Sequence, residues 1–216
     1  PCLRQVPGAE VVGIASPSLD RLRETAAQFD IPAVASDHRE ILERTRPDVA
    51  IVASPPHRHA EMALDALDAG CHVLCEKPMA LDAGETARMV DAARARPGRL
   101  ALLDHELRFL PARERLAALA HGGALGELRR AEYILRAPSR RDPAYPWSWW
   151  SDRSAGGGVL GAIGSHAIDA LRHLLGEVAE ARGWLETLVA QRPDPAGGAA
   201  RPVTADDHAA CWLRFA

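Results

Sequence analysis

Short apolar runs alternate with amphipathic stretches along the first half of the chain. Ala9–Ser16, Ala33–Ser36, Pro47–Ser54, Cys71–Glu76 and Arg99–His105 have strand length. Their apolar character is nearly continuous, as for strands covered on both faces of a parallel sheet. Between them the period changes to that of a helix. Leu19, Leu22, Ala26 and Phe29 share one face, Ile41 and Leu42 follow Asp37 as N-cap, and Met62, Ala63, Leu64 and Leu67 line a third segment closed by Gly70. A fourth helix runs from Asp82 through Ala95 and stops at Pro97-Gly98. Five short-linked strand–helix alternations predict a doubly wound parallel α/β sheet over residues 1–108.

The pattern changes after Pro111. Pro111–His121 reads as a helix, Glu127–Ala137 as an antiparallel strand with one face covered, and Pro138–Asp152 as a loop rich in proline and tryptophan. Gly156–Gly164 allows close backbone approach and leads into a helix over Ser165–Leu175, with Ser165 as its cap. Val178–Val189 and Asp207–Phe215 are further strands. Residues 109–216 are therefore predicted to form an α+β domain with an open, mostly antiparallel sheet. The helix-like start at Pro1–Val6 and the apolar strand at the other end read as cuts. On this reading a first βα unit, which would carry the phosphate loop, is missing; no G-x-G-x-x-G occurs in the 216 residues.

Composition narrows the function classes. The net charge of −3 gives no electrostatic case for nucleic acid or an anionic membrane, and the apolar runs are too short for a spanning helix. Cys2, Cys71, Cys75 and Cys211 are too scattered for a disulfide framework or a metal site, which suits reduced thiols in a cytoplasm.

Candidate chemistry sits where open α/β sheets place ligands, at the carboxyl ends of strands. Ser54-Pro55-Pro56, with His57 and His59 beyond, leaves one buried strand; Ser54, Pro55 and His59 are candidate cofactor contacts, and His57 reads equally as a surface residue. Glu76-Lys77-Pro78 leaves another. The proline ends the strand and holds Lys77 at a defined edge. Beside a cationic ligand, Lys77 would have its pKa lowered by like charge and could donate to a substrate oxygen. His166, in the first turn of its helix, is expected to stay neutral because the positive helix end disfavours imidazolium. Asp169, one turn later, is positioned to orient it or to serve the helix.

Together these clusters resemble the glucose–fructose oxidoreductase, inositol dehydrogenase and rhizopine-catabolism family of NAD(P)-dependent oxidoreductases. The resemblance rests on Ser54-Pro55-Pro56 with His59, Ala69-Gly70-Cys71-His72-Val73 into Glu76-Lys77-Pro78, Arg108-Phe109 with Pro111, and Gly156–Gly158 through His166 and Asp169 to Leu175-Gly176-Glu177. It implies a Rossmann-like domain followed by a sheet domain that commonly mediates oligomerisation, and a homo-oligomer. It also implies hydride transfer between the cofactor and a sugar, cyclitol or related hydroxyl carbon. Lys77 corresponds to the catalytic lysine and His166 to the general acid/base; Glu76 and Pro78 line the cofactor. Arg108, Trp149 and Trp150 would shape the sugar site with His166 and Asp169. Besides the absent Gly-rich loop, two departures stand out. Position 162 is Ala where many members carry Asp, and Ser16 ends a strand where an acidic residue would bind the ribose of NAD. Ser16, with Arg21 nearby, favours NADP over NAD. A non-catalytic binding relative and a glycosidase that uses NAD transiently are the alternatives on the same fold.

Overall fold

The structure, a computed structural model, describes residues 2–137 and 140–216. Pro1, Pro138 and Ser139, which belong to the predicted opening helix and the tryptophan loop, lie outside the described residues. The chain divides into two compact units. The first comprises Pro1–Ala53, Arg58–Cys75 and Gly84–Leu102; the second comprises Ser54–His57, Glu76–Ala83 and Leu103–Ala216.

The first unit holds the predicted alternation, apart from Glu76, Ala83, Leu103 and Asp104 at element ends, which belong to the second. In order it runs β1 (Gly13–Ala15), α1 (Leu19–Gln28), β2 (Ala33–Ala35), α2 (His38–Thr45), β3 (Val49–Val52), α3 (His59–Asp68), β4 (His72–Glu76), α4 (Ala83–Arg94) and β5 (Ala101–Asp104). β1 and β2 pair in parallel, as do β3 and β4, with β5 on the other side of β4. The strands thus form two groups, because no described strand pairs with both β1 and β3. β1 is three residues long, shorter than its apolar run, and matches β2 residue for residue. Asp37 caps α2 as expected, accepting the Arg39 backbone N–H at 2.7 Å. Gly70, at φ +83°, follows α3 in a conformation that an L side chain rarely adopts. Ile41 of α2 covers β1 closely: a Cβ at Gly13 would lie 3.1 Å from its Cγ2. Cys71 and Cys75 are buried, and burial raises the Cys71 thiol pKa.

The second unit holds α5 (Pro111–His121), α6 (Ser165–Leu175), β6 (Val178–Glu186), β7 (Gln191–Arg192), β8 (Arg201–Pro202) and β9 (His208–Phe215). β6 and β9 pair antiparallel from Glu186 opposite His208 to Val178 opposite Phe215. Glu127–Ala137 forms no strand, contrary to its alternating pattern. A strand needs a neighbour for its N–H and C=O groups, and among the described residues none pairs with this segment. It instead lines one side of an open groove whose other walls are α6 and β9.

Candidate active site

β4 ends at Glu76, and the chain leaves it through Lys77 and a cis Lys77–Pro78 peptide bond. The Lys77 ammonium donates to the backbone carbonyl of Ala162 at 2.8 Å. Glu76 accepts the Lys77 backbone N–H at 3.2 Å, so it secures the turn itself. Lys77 is therefore anchored to the glycine-rich segment, which the sequence places 85 residues away.

That segment is built in an unexpected way. Leu160–Gly164 forms a π-helical turn that runs directly into α6. Such insertions shift the helical hydrogen-bond register and recur at functional sites. Asp206 closes the start of this turn. Its carboxylate accepts the Leu160 N–H at 2.8 Å, and its backbone carbonyl accepts the Val159 N–H at 2.9 Å. Gly158 permits the approach, since a Cβ there would lie 2.2 Å from Asp206 Oδ1.

The π turn also corrects the expected origin of the His166 charge state. Gly164 already has helical backbone angles, so Ser165 does not cap a free helix end and His166 does not face an exposed N-terminus. Burial, followed by the Lys77 charge, pushes the imidazole below its usual pKa, partly opposed by Glu106. The downward direction of the His166 pKa thus has a different cause from the one expected. His166 Nδ1 is buried without a hydrogen-bond partner, while Nε2 lies 3.8 Å from Glu106 Oε1.

Asp169 does not orient His166. Arg108 takes both its oxygens, donating from Nε at 2.8 Å and from Nη2 at 2.5 Å. The fork geometry suits a carboxylate. Burial alone would raise the Asp169 pKa, but the Arg108 hydrogen bonds and the neighbouring His105 and Arg108 charges hold it below the usual carboxylate value. His105 Nε2 stands 3.8 Å from Asp169, and its ring meets that of His166 edge-on with centroids 5.9 Å apart. Burial lowers the His105 pKa, with Asp169 opposing it.

The other sequence candidates are distributed as follows. Ser54 and Pro55 lead into a turn where Pro56 meets the glycine segment; a Cβ at Gly156 would lie 2.5 Å from Pro56 Cβ. His57 is exposed and stands 3.3 Å from the Ala155 carbonyl. Trp149 and Trp150 pack near each other, and their carbonyls leave no room for a Cβ at Gly157. Arg140 lies over the Trp150 ring at 4.2 Å. In the first unit, Ser16 accepts the Ser18 N–H at 3.4 Å and Arg21 is exposed, whereas His59 is buried and, as placed, presents no face to a ligand. His105, Glu106 and Asp206 escaped the sequence reading. The first two had a usable signal: they follow the carboxyl end of β5, as Lys77 follows that of β4.

With this geometry defined, comparison with known proteins settles the lineage. A family model described as "Oxidoreductase family, NAD-binding Rossmann fold" matches residues 1–103, and one described as "GFO/IDH/MocA C-terminal domain" matches residues 114–216. The chain belongs to the Gfo/Idh/MocA oxidoreductase family. An uncharacterized oxidoreductase of Synechocystis is 36% identical over all of this chain and 58% of its own length. Levoglucosan dehydrogenase of Pseudarthrobacter phenanthrenivorans is 33% identical over 98% of this chain and 57% of its own length. A solved structure of levoglucosan dehydrogenase in complex with NADH and levoglucosan superposes with a TM-score of 0.81 at 33% identity, covering 95% of this chain and 55% of that one. An oxidoreductase domain protein from Kribbella flavida gives a TM-score of 0.85 at 35% identity, covering 95% and 55%. The chain thus spans a little over half the length of these relatives. The family fold, a Rossmann-like parallel sheet and a C-terminal antiparallel sheet, is the one observed.

Lys77, held by the Ala162 carbonyl, is the residue that would stand beside a bound nicotinamide. Gly161 lies beside Pro78, where a Cβ would lie 3.6 Å from Pro78 Cγ, an ordinary contact distance. The pyrophosphate-binding G-x-G-x-x-G does not occur among these 216 residues.

Proposed function

We propose that the protein is an NAD(P)-dependent oxidoreductase that moves a hydride between the nicotinamide and a hydroxyl carbon of a sugar or cyclitol. One observation carries this reading: Lys77 and a buried His166, its pKa lowered by burial, belong to the same compact unit, with Lys77 fixed by the Ala162 carbonyl. The levoglucosan dehydrogenase and D-glucoside 3-dehydrogenase relatives support the sugar class.

The bound nicotinamide supplies the hydride acceptor; the chain supplies the proton chemistry and the orientation. An ammonium has three donors. With one on Ala162, two remain to polarise the substrate oxygen and stabilise the alkoxide that develops as the C–H bond weakens. His166 takes the hydroxyl proton, a role open to the neutral imidazole. Arg108, Trp149 and Trp150 shape the sugar pocket, and Asp169 acts there by holding Arg108. Ser54, Pro55, Glu76 and Pro78 belong to the cofactor side. Ser16 and Arg21, with no carboxylate ending β1, favour the extra phosphate of NADP.

We place the dinucleotide-binding part in residues 1–108 and the substrate and oligomerisation part in 109–216. Trp184 and Trp212, exposed on β6 and β9, suit assembly of copies through that sheet. Among the described residues no helix is long and apolar enough to cross a membrane. The reduced thiols of Cys71, Cys75 and Cys211 suit a cytoplasmic setting.

The test is reduction of NAD and of NADP by the protein with a panel of pyranoses, anhydrosugars, glucosides and cyclitols. Accumulation of reduced nicotinamide with at least one of them is expected. Glycoside cleavage without such accumulation would show a transient-oxidation glycosidase. Tight cofactor binding with no chemistry on any substrate would show a binding protein.

A further inference from the structure

Glu106 has no part in the mechanism so far. It opens the short helical turn after β5, Glu106–Phe109. Its side chain is 52% exposed, whereas that of His166, 3.8 Å away, is 10% exposed. The distance is that of an ion pair, and rotation of a half-exposed side chain can close it to a hydrogen bond. We propose that Glu106 is the charge partner and proton outlet of His166, acting at Nε2, the ring nitrogen that it faces.

The neighbours of His166 leave little competition. The groups that bear on it most strongly are Lys77 from the β4 turn, Glu106 and His105 from the end of β5, and Arg113 from α5. Glu106 alone among them is negative. On the same helix, Asp169 has both oxygens committed to Arg108. Ala162, four residues before His166, has no carboxylate to offer.

The proposal rests on the oxidoreductase reading, and its proton balance is simple. When a bound oxidised nicotinamide accepts the hydride, the hydroxyl proton arrives at His166 Nε2, the nitrogen facing Glu106, and a carbonyl product remains. Glu106 stabilises the imidazolium. After product release it takes the proton to water, and His166 is neutral for the next cycle. A buried imidazolium beside the Lys77 ammonium would otherwise have only like charge near it.

The experiment compares wild type, Glu106→Gln and Glu106→Asp by NMR titration of the His166 imidazole, assigned by its absence in His166→Asn. Thermal melts check folding. Removing the carboxylate should lower the His166 midpoint by about 1 pH unit. Glu106→Asp, which keeps the charge, should retain most of the wild-type midpoint. In turnover assays the acidic limb of the kcat/KM profile should move to lower pH with the midpoint, and kcat should fall about tenfold with KM nearly unchanged. An unmoved midpoint in Glu106→Gln overturns the proposal, as does lost activity with an unmoved pH profile. A lowered midpoint with no nicotinamide reduction by any variant would overturn the oxidoreductase reading and leave the Glu106–His166 pairing intact.

Discussion

The Arg108–Asp169 pair makes a quantitative prediction about what holds the site together. Arg108→Leu removes both donors to a carboxylate that is 9% exposed. A hydrogen bond to a charged group contributes about 1.5–3 kcal/mol, and breaking a fully buried ion pair costs about 3–5 kcal/mol. Arg108 is itself 42% exposed, so solvent screens part of the interaction, and His105 at 3.8 Å offers a partial substitute. A net loss of about 2–3 kcal/mol follows. At this chain length that lowers Tm by about 5–10 °C.

The pH dependence fixes the sign. The native Asp169 pKa lies below the usual carboxylate value, so the pair stabilises the fold above that range and the contribution is lost as pH falls through the native pKa. The difference between wild type and Arg108→Leu should therefore be full at neutral pH. It should shrink in acid, once the unpaired Asp169 of the variant takes up its proton. Urea unfolding of both proteins at about pH 7 and about pH 3 measures this. The double variant Arg108→Leu/Asp169→Leu should recover much of the loss, since no buried charge is left alone. A cost for Arg108→Leu below about 0.5 kcal/mol, or one equal at the two pH values, would refute the reasoning.

Two further substitutions probe the frame around Lys77. Gly158→Ala places a Cβ against the Asp206 carboxylate at φ +113°; the strain and overpacking should cost at least about 2 kcal/mol, read by urea unfolding, and a neutral effect would show that Asp206 does not cap the π turn in solution. Ala162→Asp introduces a carboxylate at the residue whose carbonyl holds Lys77; it should offset the Lys77 charge felt by His166, raise the His166 midpoint and move the acidic limb of kcat/KM to higher pH, whereas a downward shift would contradict the assigned electrostatics.

How much of this was visible beforehand varied with the range of the interaction. The strand–helix alternation, the Asp37 cap, the Gly70 terminator and the α5 span of Pro111–His121 are local events, and local sequence specified them. The placement of Lys77 just after β4 and of His166 in α6 also followed from local pattern, since a strand end and a glycine-rich lead into a helix are read residue by residue. The partners did not. Arg108 and Asp169 are 61 residues apart, Lys77 and Ala162 are 85 apart, and Asp206 reaches Leu160 across 46. Nothing local in the sequence distinguishes an Asp that orients a histidine from one that clamps an arginine. Glu127–Ala137 failed for a related reason: alternation describes a surface, whereas a strand also requires a partner. The π turn gave no sign in a segment whose glycines permit many conformations.

The central claim is that Lys77 and His166 perform alcohol oxidation together, and isotope transfer tests it most directly. A sugar substrate carrying deuterium on its hydroxyl-bearing carbon is incubated with the oxidised nicotinamide and the protein, and the recovered cofactor is analysed by mass. Wild type should deliver the label to the nicotinamide, while Lys77→Ala and His166→Ala, folded by their melting curves, should each reduce transfer by at least about a hundredfold. Transfer at the wild-type rate in either variant would contradict the account.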